Sequence, residues 1–171
     1  MRSPLCACAL ALAAGCSGSS SSPDAAVNPC LVSADYGALG AKTGTAIINA
    51  GNPTLTITLD PGPPRDVFFI QLVSGQGAFS GGGLMTGTFT IRGADANFAA
   101  CGLCTNIIAD IVSGVGPSKF YFTQSGTVTL TSTSPIAGSA QDLQFAEVDV
   151  NSGAPIAGGC TTHVASINFG S

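Results

Sequence analysis

Thr54-Leu55-Thr56-Ile57-Thr58-Leu59 alternates a β-branched hydroxyl residue with an aliphatic one over six positions. Successive side chains of a strand point to opposite faces, so this order puts Leu55, Ile57 and Leu59 on a dry face and the threonines on a wet one. Gly126-Thr127-Val128-Thr129-Leu130-Thr131 and Thr88-Phe89-Thr90-Ile91-Arg92 follow the same rule. Two other runs, 67–73 (Val-Phe-Phe-Ile-Gln-Leu-Val) and 106–112, are apolar on both parities and read as central strands or strands covered on both sides. Glycine and proline punctuate the gaps, at Ala50-Gly51-Asn52-Pro53, at 60–64, at 113–117 and at Asn151-Ser152-Gly153; 74–83 is a longer glycine-rich loop. No stretch carries a sustained 3.6-residue stripe with caps. Eight to ten short strands are therefore expected, in an all-β antiparallel β-sandwich or jelly-roll-like fold. Leu143 and Phe145 share one parity and Val148 and Val150 the other, which predicts a bulge near Ala146-Glu147.

Composition narrows the function. The chain has 171 residues and a net charge of −4, with charged residues at only 8%. Without the first fifteen residues, four bases (Lys42, Arg65, Arg92, Lys119) face nine acids, a net −5. Phosphate binding needs clustered cations, so nucleic acid is excluded as a partner. No cofactor motif occurs and no cofactor is expected. The polar surface must come from Thr, Ser, Asn and Gln, as suits an extracytoplasmic β-protein.

The amino terminus supplies an address. Arg2 precedes an apolar run over 5–14, too short to cross a bilayer as a helix but suited to a signal peptide. Leu12-Ala13-Ala14-Gly15-Cys16-Ser17 then resembles the lipobox of bacterial lipoproteins. It departs from that pattern in one place: Ala13 stands where the family has Leu, with Leu12 one position early. The resemblance implies cleavage after Gly15 and fatty acylation of Cys16, on its thiol and on the new amine, with chains such as palmitate. Several acyl chains make stable attachment to a membrane. Ser17, in place of the Asp that retains family members at the inner membrane, implies an outer-membrane anchor. The expected organisation is a signal peptide over 1–15, a lipidated Cys16 with a Ser/Gly-rich tether over 16–26, and one domain over 27–171. The segment Asn97-Phe98-Ala99-Ala100-Cys101-Gly102-Leu103-Cys104 also resembles, loosely, a stretch of uncharacterised lipid-anchored domains of Gram-negative bacteria, which implies no activity.

Once Cys6 and Cys8 leave with the signal and Cys16 carries lipid, Cys30, Cys101, Cys104 and Cys160 remain. Four cysteines in an oxidising compartment suggest two disulfides, in any of three pairings. Cys101 with Cys104 and Cys30 with Cys160 is the preferred set, though sequence does not choose. The same residues offer an alternative, because Cys101-Gly-Leu-Cys104 and Cys160-Thr-Thr-His163 form a C-x2-C and C-x2-H combination suited to tetrahedral zinc.

Catalysis has little to stand on. His163, the only histidine, shares strand parity with Ala165, Ile167 and Phe169 and reads as half-buried. No G-x-S-x-G occurs. Glu147 and Asp149 could offer oxygen to calcium but lack the rest of an EF-hand loop, and a strand edge followed by a turn is the plainer reading. Sugar binding is weakened by the absence of Trp and the presence of only two Tyr, with the phenylalanines unplaced. The expectation is a non-enzymatic envelope module, anchored to the membrane through lipid, with an unknown protein or glycan partner; a ligand- or metal-binding module is the alternative.

Overall fold

The computed structural model describes residues 30, 35–62 and 64–171. The expected signal peptide, Cys16 and the tether lie outside the described residues. Among those described, nine strands form and no α-helix. The first four are β1 (Gly37–Thr43), β2 (Thr45–Asn49), β3 (Asn52–Asp60) and β4 (Arg65–Leu72). The rest are β5 (Gly87–Ile91), β6 (Leu103–Ile111), β7 (Lys119–Thr133), β8 (Ile136–Glu147) and β9 (Thr161–Gly170). All lie in one mixed sheet, in the order β1-β9-β8-β7-β6-β4-β3-β2, with β5 also paired to β7. Only β1 with β9 is parallel.

The all-β, mostly antiparallel expectation holds, but two separate stacked sheets do not form. One sheet curls over its own core instead, and a crease lets it do so. On β7 the inward residues are Tyr121 and Thr123, then Val128 and Leu130, so parity inverts between them. β8 inverts between Ala140 and Leu143, and β9 between Val164 and Ile167. These breaks lie side by side, because Leu143 pairs with Val164 and Ala140 with Ile167. Gly126 on β7 has φ +128°, and a Cβ there would sit 2.7 Å from the Asp142 carbonyl oxygen. Asp142 itself has φ 52°. β6 pairs with β7 before the crease and β5 pairs with it after, so each half of the sheet has its own strands.

The chain closes the curl at its other end. Residues 37–49 form β1 on β9 and then β2 on β3, turning at Gly44. A Cβ on Gly44 would meet the Thr56 carbonyl oxygen at 2.6 Å and the Leu55 and Ile57 side chains within 2.8 Å. Only glycine allows so close a crossing. Strands that switch edges at a bend make the corners of curled sheets.

The core confirms the alternation with which the sequence opens: Leu55 and Ile57 are fully buried and Leu59 nearly so. Across the interior, Phe68 meets Phe145 edge to face at 6.3 Å. The run over 67–73 supplies an interior strand that is buried on its inner face and only partly covered on its outer one. Phe68, Ile70 and Leu72 enter the main core, whereas Val73 packs in a smaller cluster with Cys101, Cys104, Phe122 and Val148 on the opposite face. This corrects the expected bulge at Ala146-Glu147. Val148 simply points to the second cluster, and the inversion in β8 lies at Asp142. His163 is half-buried on β9, as expected, but the inversion between Val164 and Ile167 takes it off the face of Ile167 and Phe169. It lies beyond the crease from Ile167 and Phe169 and points away from the core, opposite exposed Gln144.

Candidate functional site

Two disulfides form among the described cysteines. Cys30 joins Cys160 across 130 residues, and Cys101 joins Cys104 across three. The zinc alternative does not assemble. Cys101 and Cys104 bridge each other and Cys160 bridges Cys30, and no group of three or more His, Cys, Asp or Glu converges among the described residues. Lys119 Nζ donates to Cys160 Sγ at 3.3 Å.

His163 faces two carboxylates. Its Nδ1 is 3.4 Å from Asp35 Oδ1 and its Nε2 4.0 Å from Asp142 Oδ1. Acceptors on both sides orient an imidazole, but no serine, threonine or cysteine side chain is hydrogen-bonded to it among the described residues. Glu147 and Asp149 are occupied by backbone. Glu147 Oε2 accepts the Cys160 N–H at 2.9 Å. Asp149 Oδ1 accepts the N–H groups of Asn151 and Ser152 and the Ser152 hydroxyl, which holds its carboxyl below the usual range, the Ser152 N–H contributing most.

A polar cluster unreadable from sequence sits at the Cys30–Cys160 end. Two residues of β6, Ala109 and Asp110, bulge opposite Asp66 of β4, and Asp110 takes φ 55°. Asp66 Oδ1 accepts the N–H this frees on Asp110 at 2.8 Å, and Asp66 Oδ2 accepts the Tyr36 hydroxyl at 2.7 Å. Burial, then the hydrogen bond to Asp66, drives the Tyr36 phenol strongly upward. Burial also pushes Tyr121 up to about 12, helped by the charges of Glu147, Asp110 and Asp66. The arrangement locks a bulge and keeps two phenols neutral.

The more open chemistry lies on the outer face of β4, β6 and β7. Register places Phe69, Asn106 and Phe122 in one row across the three strands, and Gln71 beside Cys104 in the next. A loop rises over this face and carries Phe98, which is 37% exposed and meets Phe122 edge to face at 5.6 Å. Asp95, only 8% exposed, fixes the loop: its Oδ1 accepts the N–H groups of Ala78, Gly102 and Leu103 at 2.9–3.1 Å. The Cys101–Cys104 bridge closes the loop against the sheet. Between them lies a groove of about 260 Å³, lined by these rings, by Gln71, Gln76 and Asn106, and by the disulfide. The Asn106 Oδ1 is buried and has no hydrogen-bond partner among the described residues.

A second hollow, of about 350 Å³, lies between the edge strand β2 and the β7–β8 turn, beside Ile47, Ile48 and Pro135. It is apolar and open. Sequence marked Cys101 and Cys104, and both wall the first groove, whereas Cys160 and His163 lie away from it. What sequence missed is the row Phe69–Asn106–Phe122. Its one available signal was a lone amide, Asn106, directly before the apolar pair Ile107 and Ile108. Compared with protein-family models, with curated proteins and with solved structures, the chain matches none of them.

Proposed function

We propose that this chain is a lipid-anchored module of the bacterial cell envelope, moored at the outer membrane through Cys16 and non-enzymatic. The observation that carries the reading is the pair of disulfides, which engage all four cysteines left after the signal and Cys16 are set aside. Bridges of this kind persist in oxidising, extracytoplasmic compartments, which is where the lipobox-like segment would send the chain. The site chemistry supports a role without catalysis. The carboxylates that sequence singled out hold backbone N–H groups, and His163 has acids beside it but no hydrogen-bonded nucleophile among the described residues. In packing, the creased sheet serves as a sandwich-like display scaffold, with a groove on one outer face.

Two measurements test the reading. Intact mass of the purified protein should rise by four hydrogens on reduction, and four free thiols before reduction would refute the disulfide argument. Cys16→Ser should abolish both palmitate labelling and partition into detergent. If both persist in that variant, the anchor is wrong.

A further inference from the structure

We propose that the groove bounded by Phe69, Phe98 and Phe122 binds a neutral saccharide ring. The inference deepens the reading of a displayed, non-enzymatic module by naming what the module holds.

Charge is the first discriminator. Among the described residues, none of the nine side chains that line the groove is charged, so neither an anion nor a cation finds a counter-charge among them. A wholly apolar ligand fits no better, because it would strand the three carboxamides of Gln71, Gln76 and Asn106. A carboxamide is donor and acceptor at once, and so is a sugar hydroxyl. The phenyl rings match the other half of a pyranose, its C–H faces. At about 260 Å³ the groove falls just under the roughly 300–1,000 Å³ of drug-sized sites, which suits one small ring or the end of a chain.

A peptide is the other neutral polymer with amide and apolar chemistry, and the topology disfavours it. Peptides that join sheets do so by extending a free edge. Phe69 on β4 and Asn106 on β6 each have a strand partner on both sides, so the row they share offers a peptide no free edge.

Asn106 is the strongest single observation. It stands between Phe69 and Phe122, and its Oδ1 is sealed from water with no partner among the described residues. An orphaned amide weakens the folded state. Natural sequences keep such local costs where a ligand uses the group. A turn of the side chain toward the groove gives that amide a hydroxyl to bond.

The test uses the full-length chain in a zwitterionic, non-glycosidic detergent, titrated with chitotriose, cellotriose, maltotriose and mannotriose. The side-chain amide resonances of Asn106, Gln71 and Gln76 are followed by NMR. At least one trisaccharide should shift them, with a sub-millimolar Kd. Asn106→Leu should weaken that binding about tenfold or more, the worth of one well-made hydrogen bond, while raising the Tm of the free protein. Phe98→Ala, on an exposed loop, should weaken it without changing the fold. The proposal is overturned if no trisaccharide shifts these amides at about 10 mM. It is equally overturned if binding survives Asn106→Leu undiminished, if that variant lowers Tm, or if an uncharged peptide of the sequence Thr-Ile-Thr-Leu-Thr shifts these amides and the sugars do not. Lipidation enters none of these readouts, so this inference and the anchor fail separately.

Discussion

The two disulfides use the same bond for opposite ends. Cys30–Cys160 ties the segment before β1 to the start of β9, closing a loop of 130 residues. Cys101–Cys104 closes three residues and shapes one loop. In the chain-entropy account, a bridge removes more freedom from the unfolded chain the longer the loop it closes, about 5 kcal/mol for the first against about 2 kcal/mol for the second. Their surroundings sharpen the contrast. The long bridge sits beside the buried Tyr36–Asp66–Asp110 cluster and keeps the two ends of the domain together. The short one sits beside Asp95, whose carboxylate already gathers three backbone N–H groups from the same region. One bridge therefore serves global stability, and the other serves the form of a groove.

That contrast can be broken. Replacing Cys30 and Cys160 by alanine together should cost about 4–5 kcal/mol in urea unfolding. A loss below about 2 kcal/mol would mean that the ends are held by packing rather than by the bridge. Replacing Cys101 and Cys104 by alanine should cost about 2 kcal/mol or less, because Asp95 still pins Gly102 and Leu103. The local signature is the sharper one. The Phe98 and Phe122 ring resonances should shift, whereas those of Phe68 and Phe145 in the main core should not. Equal losses from the two pairs would remove the distinction.

The smallest expected effect concerns the phenols beside the long bridge. A tyrosine with a raised folded pKa favours folding fully below its unfolded value near 10 and loses that contribution as pH climbs toward the folded value. Tm should accordingly fall between about pH 10 and pH 12, where Tyr121 is pushed up to about 12. Tyr121→Phe should flatten that slope, and a slope unaltered by the substitution would assign the alkaline loss to other groups.

Much of the fold is legible in residues 54–59 and the segments that repeat their order. Leu55, Ile57, Val128 and Leu130 are buried as alternation requires, and the run over 67–73 supplies a central strand. The preferred pairing of the four cysteines is the one the structure contains. The crease was not legible. Val148 differs in parity from Leu143 only because it packs in the second apolar cluster on the other face, whereas the inversion in β8 lies earlier, at Asp142, where a linear reading saw nothing. The groove was hidden likewise, since Phe69, Asn106 and Phe122 are neighbours only through strand register.

By itself, then, the order of residues determined that the chain makes strands, which of their faces are dry, and that its cysteines suit bridges. Those properties depend on a two-residue period and on side-chain chemistry, both of them local. Tertiary structure alone decided that the strands join in a single sheet creased at Gly126 and Asp142, and that residues 37–49 reach both of its edges. It also decided that an asparagine comes to rest between two phenylalanines from other strands. Register and parity inversion depend on which distant segment lies alongside, and side chains far apart along the chain settle that jointly by filling one core.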